Sequence, residues 1–188
     1  MILARRLTTQ ILLFKQQQQI VNVAEIRSAF HRSFVRSMTG FKFNEVEGDL
    51  FTAPKTHSLA HCVGADLAMG AGIAVKFKEI YGKVDELQAQ KARAGELALL
   101  KDDERYIYYL VTKSQSWALP TYETLQSSLE KMRDHMAKND VHKLAIPRIG
   151  CGIDGLQWDK VKAIINDVFQ REDVEITAYN FVPPQETQ

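Results

Sequence analysis

The chain has 188 residues, 45% of them hydrophobic, which is enough for one domain with a proper core and gives no reason from length for a second. Its formal net charge is +1, but residues 1–38 hold six basic side chains against the single acid Glu25, so the remainder is mildly acidic and has no basic stripe of the kind a nucleic-acid clamp needs. Two cysteines, Cys62 and Cys151, are too few for a disulfide framework and read as reduced, intracellular thiols, and no apolar run approaches the length that crosses a bilayer.

Residues 1–38 include Arg5, Arg6, Arg27, Arg32 and Arg36, a composition that suits a mitochondrial transit peptide and equally a bland extension with a glutamine tract at 16–19. Either way, the folded domain is expected at 39–182. Residues 41–46 alternate apolar and polar and read as a strand ending at Gly48-Asp49, and 59–63 form a short apolar strand ending at Gly64. A helix is predicted over 71–80, its start beside Met69-Gly70 offering a cluster of backbone N–H groups. A second, exposed helix is predicted over 84–94 with Gly95 as its stop signal. Strands at 96–101 and 106–111 flank the polar turn Asp102-Asp103-Glu104 and read as a hairpin.

Pro120 and Thr121 open a helix over 121–139 whose Leu125, Leu129, Met132 and Met136 recur at helical spacing and belong to the core. A strand over 143–146 leads into a glycine-rich loop, then a helix over 157–169 that is expected to bury Trp158, Val161, Ile165 and Val168. A last strand over 174–181 precedes a polar tail at 183–188. Strand-like and helix-like segments that alternate with short joints make an α/β protein built in layers.

The loop after residue 146 carries the chemistry. It reads Pro-Arg-Ile-Gly-Cys-Gly-Ile-Asp from Pro147 to Asp154, and Gly150, Gly152 and Gly155 satisfy G-x-G-x-x-G between a strand and a helix. Such glycines let backbone amides approach a diphosphate, yet a loop that only holds phosphate gains nothing from the negative Asp154. A dinucleotide fingerprint is disfavoured because that motif opens a first βαβ unit, whereas this loop follows the penultimate strand. The plain alternative is tight strand-to-helix packing. His57 and His61 stand four apart, but in a loop and a strand with no third ligand beside them, so no metal is expected. Cys62 and Cys151 default to inert thiols, and Lys113 at a strand end reads, on spacing alone, as a solvated charge.

A set of segments in unbroken order changes that weighting: Gly48-Asp-Leu-Phe51, Ser58-Leu-Ala-His-Cys62, Met69-Gly-Ala-Gly-Ile-Ala-Val75, Tyr106-Ile-Tyr-Tyr-Leu-Val-Thr-Lys113, Pro120-Thr-Tyr-Glu123 and Pro147 to Asp154. Over residues 40–181 the chain resembles the terminal ADP-ribose protein glycohydrolases, a branch of the macrodomain family also described as O-acyl-ADP-ribose deacylases. The resemblance implies a three-layer α/β/α macrodomain with a mixed central sheet that binds ADP-ribose at its strand ends. It implies that Asp49 and Leu50 contact the adenine end, that Arg148, Ile149, Gly150, Cys151, Gly152 and Ile153 hold the diphosphate and distal ribose, and that Phe181 borders the adenosine. Lys113 and Asp154 fall on the branch's catalytic lysine and aspartate. Two features depart from it: Gly64 stands where a member of the branch has a serine, and the tail beyond Phe181 is longer.

The implied reaction removes ADP-ribose from glutamate or aspartate side chains and from esters such as O-acetyl-ADP-ribose, through a covalent intermediate on Lys113 with Asp154 as proton carrier and with no cofactor. The expected partners are ADP-ribose and ADP-ribosylated proteins, with nucleic-acid adducts as further substrates, on a monomer that engages no membrane. By resemblance the protein resides in nucleus or cytoplasm, or in the mitochondrion if its first residues are a transit peptide. Two rivals are a reader module that binds ADP-ribose without cleaving it and a nicotinamide-dependent oxidoreductase.

Overall fold

A computed structural model describes residues 40–181; the basic extension and the polar tail expected from sequence lie outside the described residues. Six strands form one sheet: β1 Lys42–Glu47, β2 Ser58–Gly64, β3 Glu96–Asp102, β4 Arg105–Lys113, β5 Lys143–Pro147 and β6 Glu175–Asn180. Their spatial order is β1-β6-β5-β2-β4-β3, with every neighbour parallel except the hairpin β3–β4. The helices are α1 Ile73–Tyr81, α2 Val84–Ala89, α3 Tyr122–Lys138 and α4 Trp158–Phe169.

Alternation along the strands divides the core in two. On β4, Tyr108 and Leu110 face one side, where Leu125, Leu129, Met132 and Met136 of α3 and Val161, Ile165 and Phe169 of α4 cover them. Ile107, Tyr109 and Val111 face the other, against Phe77 of α1 and Leu87 of α2. A sheet apolar on both faces must be covered on both, and the result is the three-layer mixed-sheet architecture anticipated from the resemblance.

This connectivity places the cleft. From the carboxyl end of β2 the chain turns to α1 on one face of the sheet, whereas from the carboxyl end of the adjacent β5 it turns to α4 on the other. Two neighbouring strands whose connections leave to opposite faces open a crevice between their loops, and ligands of open α/β sheets bind there. Gly48, Gly64, Lys113 and the residue-148 loop all lie at or just beyond the carboxyl ends of strands with parallel partners.

Local signals explain the helix starts. Thr121 caps α3 by accepting from the Thr124 N–H, while the Thr124 hydroxyl accepts from the Thr121 N–H. The second predicted helix is corrected: α2 ends at Ala89, short of the expected residue 94. The Gln90 amide accepts from the Leu99 N–H at 3.0 Å and donates to its carbonyl at 2.8 Å, so it pairs with the β3 backbone as a strand would. The helix gives way there, and Lys91 turns to a left-handed φ of 53°. Trp158 is also less buried than its spacing predicts, because its indole N–H donates to Glu45 at 2.9 Å at the rim.

Candidate functional site

The crevice is a cavity of about 600 Å³, within the usual range for small-molecule sites, walled by loops from both sides of the switch between β2 and β5. One wall is the loop after β2. Leu67 and Met69 adopt left-handed φ values of 50° and 46°, which non-glycine residues accept only when packing dictates it, and both side chains are buried in the core. That anchoring presents Gly70, Ala71 and Gly72 to the cavity at the start of α1. Among the described residues, their amides meet no protein acceptor.

The opposite wall is the glycine-rich loop. Gly150 has a φ of 70°, and a Cβ there would lie 2.7 Å from Leu156 Cδ1, so its glycine is demanded by the fold. Gly152 differs: a Cβ there would meet no protein atom within 4 Å, and the space it leaves opens on the cavity. The loop satisfies part of itself, with the Cys151 N–H donating to the Arg148 carbonyl and the Leu156 N–H to the Gly150 carbonyl. The amides of Gly150, Gly152, Ile153 and Asp154 have no acceptor among the described residues. Two facing sets of unpaired amides form a cradle suited to the charge and geometry of a diphosphate.

At the base of the cleft Lys113 Nζ donates to Asp154 Oδ1 at 2.5 Å. The side chains are only 11% and 15% exposed, so the pair is largely withdrawn from water. Its assembly rests on an irregularity in β4. The β2–β4 register runs Val63 to Val111 and then Gly64 to Lys113, which leaves Thr112 as an extra residue. A bulge of this kind re-aims the side chain that follows it, here the lysine. The Thr112 carbonyl is held by the Thr124 hydroxyl at 2.6 Å, and the Lys113 carbonyl accepts from the Ala65 N–H at 2.9 Å.

The structure brings Lys113, Asp154, Asp49, Leu50, Gly64, Arg148, Ile149, Gly150, Gly152, Ile153 and Phe181 to one cavity lining. Cys151 is not among the lining residues: its thiol donates to the Ile149 carbonyl at 3.3 Å and packs against the core. Asp49 caps the short 3-10 turn Leu50–Thr52 by accepting from the Phe51 N–H, and that bond, helped by Lys76 at 3.1 Å, holds its carboxyl below the usual range. The Arg148 guanidinium lies 3.3 Å from Glu45 and over the Trp158 ring. Gly64 leaves no room for a side chain, since a Cβ there would sit 2.6 Å from Asp66 Oδ1 and 2.7 Å from the Ser116 nitrogen.

Neither thiol suits nucleophilic work. Burial, then the charge of Asp154, pushes Cys62 up to about 12, and burial pushes Cys151 up to about 11. His57 and His61 do not converge, since His61 is fully buried and stacked on Phe77, and the described residues contain no cluster of three or more metal-binding side chains. Lys76, Ser116, Tyr179 and Asn180 also line the cavity and were not singled out by sequence. The Gly-Ala-Gly run was visible as an amide cluster, but the others show no signal before the strands are aligned.

Comparison with known proteins gives a consistent picture. A family model described as Macro domain matches residues 60–165. The chain is 55% identical over 140 residues to ADP-ribose glycohydrolase OARD1 of Homo sapiens, covering 74% of this chain and 92% of that relative. It also superposes on the macrodomain of Thermus aquaticus DarG with a TM-score of 0.67 and 25% identity, over 74% of this chain and 99% of that one. A Thermosipho africanus DarTG structure in complex with ADP-ribose shares the fold, with a TM-score of 0.65 and 21% identity over 78% of this chain and 43% of that one.

Proposed function

Because the chain belongs to the macrodomain family, we propose that it is a hydrolase, an ADP-ribose glycohydrolase that frees ADP-ribose from esterified glutamate and aspartate side chains and from O-acyl-ADP-ribose. The observation that carries this reading is the Lys113–Asp154 pair at the base of an amide-lined cleft. A module that only bound ADP-ribose would gain nothing from holding a carboxylate beside the anionic ligand. The same carboxylate is useful where a proton must move at the distal ribose.

In the resting cleft the Lys113 ammonium donates to the Asp154 carboxylate. Passage of that proton to Asp154 frees the amine lone pair to attack the anomeric carbon. As the C–N bond forms, the bond from that carbon to the ester oxygen breaks, and its electron pair leaves on the acceptor carboxylate. The bond from that carbon to the ring oxygen then breaks as one proton passes from nitrogen to the ring oxygen, which leaves a protonated imine and a free sugar hydroxyl. Water then adds to the imine carbon, Asp154 relays its proton to the departing amine, and ADP-ribose is released with Lys113 restored. The amides of the two loops bind the diphosphate and hold the sugar within reach, the step in which position replaces collision.

The test is a trapping experiment. A glutamate-ADP-ribosylated peptide is incubated with the protein and cyanoborohydride, which reduces an imine to a stable amine. Mass spectrometry is expected to find ADP-ribose fixed on Lys113. Full turnover by Lys113→Ala sinks the nucleophile assignment, and calorimetric binding of ADP-ribose without any release from esters leaves only the reader.

A further inference from the structure

The loop from β4 to α3 carries a feature that the ADP-ribose cleft does not use. Trp117 is 83% exposed and Leu119 76%, and Ile153, the neighbour of Asp154, is 74% exposed. Single exposed apolar residues are ordinary, but these three belong to the two chain segments that carry the reactive pair, Trp117 and Leu119 shortly after Lys113 and Ile153 next to Asp154. The loop is pinned. The Ser116 N–H and hydroxyl both donate to Asp66 Oδ2, at 2.9 and 2.8 Å, the Ala118 N–H donates to the Gln115 carbonyl, and Pro120 is buried. Ser116 lines the cavity, and Trp117 is the next residue in the chain.

We infer that Trp117 and Leu119 form an acceptor subsite that receives an apolar side chain of the modified polypeptide, next to the esterified acid. The inference rests on the proposed reading that the distal ribose lies at Lys113. The choice of a polypeptide follows from charge: residues 114–121 read Ser-Gln-Ser-Trp-Ala-Leu-Pro-Thr and contain no lysine or arginine to meet a nucleic-acid backbone. An exposed aromatic on a pinned backbone, with an aliphatic residue two positions on, is instead the kind of surface that anchors peptide side chains. The subsite therefore selects among ADP-ribosylated proteins by the residue beside the modified acid, while small esters bypass it.

The experiment compares wild type, Trp117→Ala, Trp117→Phe and Leu119→Ala in the full chain. Calorimetry uses two probes: ADP-ribose, and a peptide conjugate in which ADP-ribose is joined by a non-hydrolysable amide next to a leucine. The conjugate is expected to bind wild type about tenfold more tightly than ADP-ribose, an advantage that Trp117→Ala abolishes and Trp117→Phe largely keeps. In turnover, Trp117→Ala is expected to lose about tenfold in kcat/KM on the leucine-containing peptide ester and nothing on O-acetyl-ADP-ribose. Equal losses on both substrates mean a structural role and overturn the subsite, as does no loss on either. A loss confined to an ADP-ribosylated oligonucleotide overturns the choice of polypeptide. Failure of wild type to bind ADP-ribose at all defeats the proposed function and the subsite together, and is distinct from loss of the peptide advantage alone.

Discussion

His61 offers a quantitative test of how the core beneath the cleft is built. Its ring is fully buried on β2, stacked on Phe77 of α1 at 3.8 Å and set edge-on to Tyr109, and neither ring nitrogen has a hydrogen-bond partner within bonding geometry. Burial pushes its pKa down to about 3, whereas the unfolded chain's histidine titrates near ~6.5. Between those values the unfolded state binds the extra proton, so stability is complete above ~6.5 and falls as pH drops toward 3. At pH ~5 the unfolded imidazole is almost fully charged and the folded one neutral, which costs about 2 kcal/mol relative to pH ~8. His61→Leu keeps an apolar body and removes the titration. At pH ~8 it loses a ring stack of ~1 kcal/mol but relieves unpaired nitrogens of similar cost, so its stability stays near that of wild type. Urea unfolding at the two pH values reads the difference: acid should shift the wild-type midpoint about 1 M further than the variant's. Referring wild type to variant cancels the contributions of His57, His135 and His142, which are unchanged between them. If both proteins lose the same stability between pH ~8 and ~5, His61 is not the buried neutral base that its surroundings require, and the reasoning fails.

Further substitutions separate fold from chemistry. Asp154→Asn preserves the shape of the pair but removes its proposed proton carrier, and kcat on an ADP-ribosyl ester should fall by about 10²- to 10⁴-fold with ADP-ribose affinity changed less than about threefold, read by steady-state kinetics and calorimetry. Gly152→Ala meets no protein atom within 4 Å and should unfold as wild type does, yet bind ADP-ribose more weakly because the added methyl enters the cradle. Gly150→Ala, at a φ of 70° and against Leu156, should instead lower stability by about 1–3 kcal/mol in urea titration. Gly64→Ser, which installs the serine found in a member of the resembling branch, places Cβ 2.6 Å from Asp66 and should likewise lose about 1–3 kcal/mol unless the 116 loop moves outward.

Much of the fold was legible because its signals are local. The buried row Leu125, Leu129, Met132 and Met136 follows from helical spacing, and Thr121 marks the start of its helix by its own hydroxyl. The Asp102-Asp103-Glu104 turn announces the hairpin, whose register closes Asp102 against Arg105. What escaped depends on partners distant in sequence. Nothing in Val84 to Ala94 tells that Gln90 will serve as an edge partner for Leu99 of β3, yet that pairing is what stops the helix. Trp158 fits an apolar stripe by spacing and is drawn to the rim by Glu45, which is 113 residues away.

The site divides in the same way. Gly150 and Gly155 were readable as loop glycines, because positive φ at a strand-to-helix turn is a local demand. Lys113 was not legible from spacing, only from the family resemblance, because a lysine at the end of a strand is ordinarily solvated. Its role depends on a one-residue slip between β2 and β4 that only the paired strands define, and on Asp154, 41 residues further along the chain. A bulge that spends one backbone pairing to turn a lysine inward, toward a carboxylate on the facing loop, has no packing rationale of its own. Thr112, the residue the slip leaves over, is buried yet has no partner in the β2 register. That cost is tolerated where the re-aimed side chain has chemistry to perform, and for this reason the irregularity in β4 supports the proposed catalysis more closely than the glycine motif does.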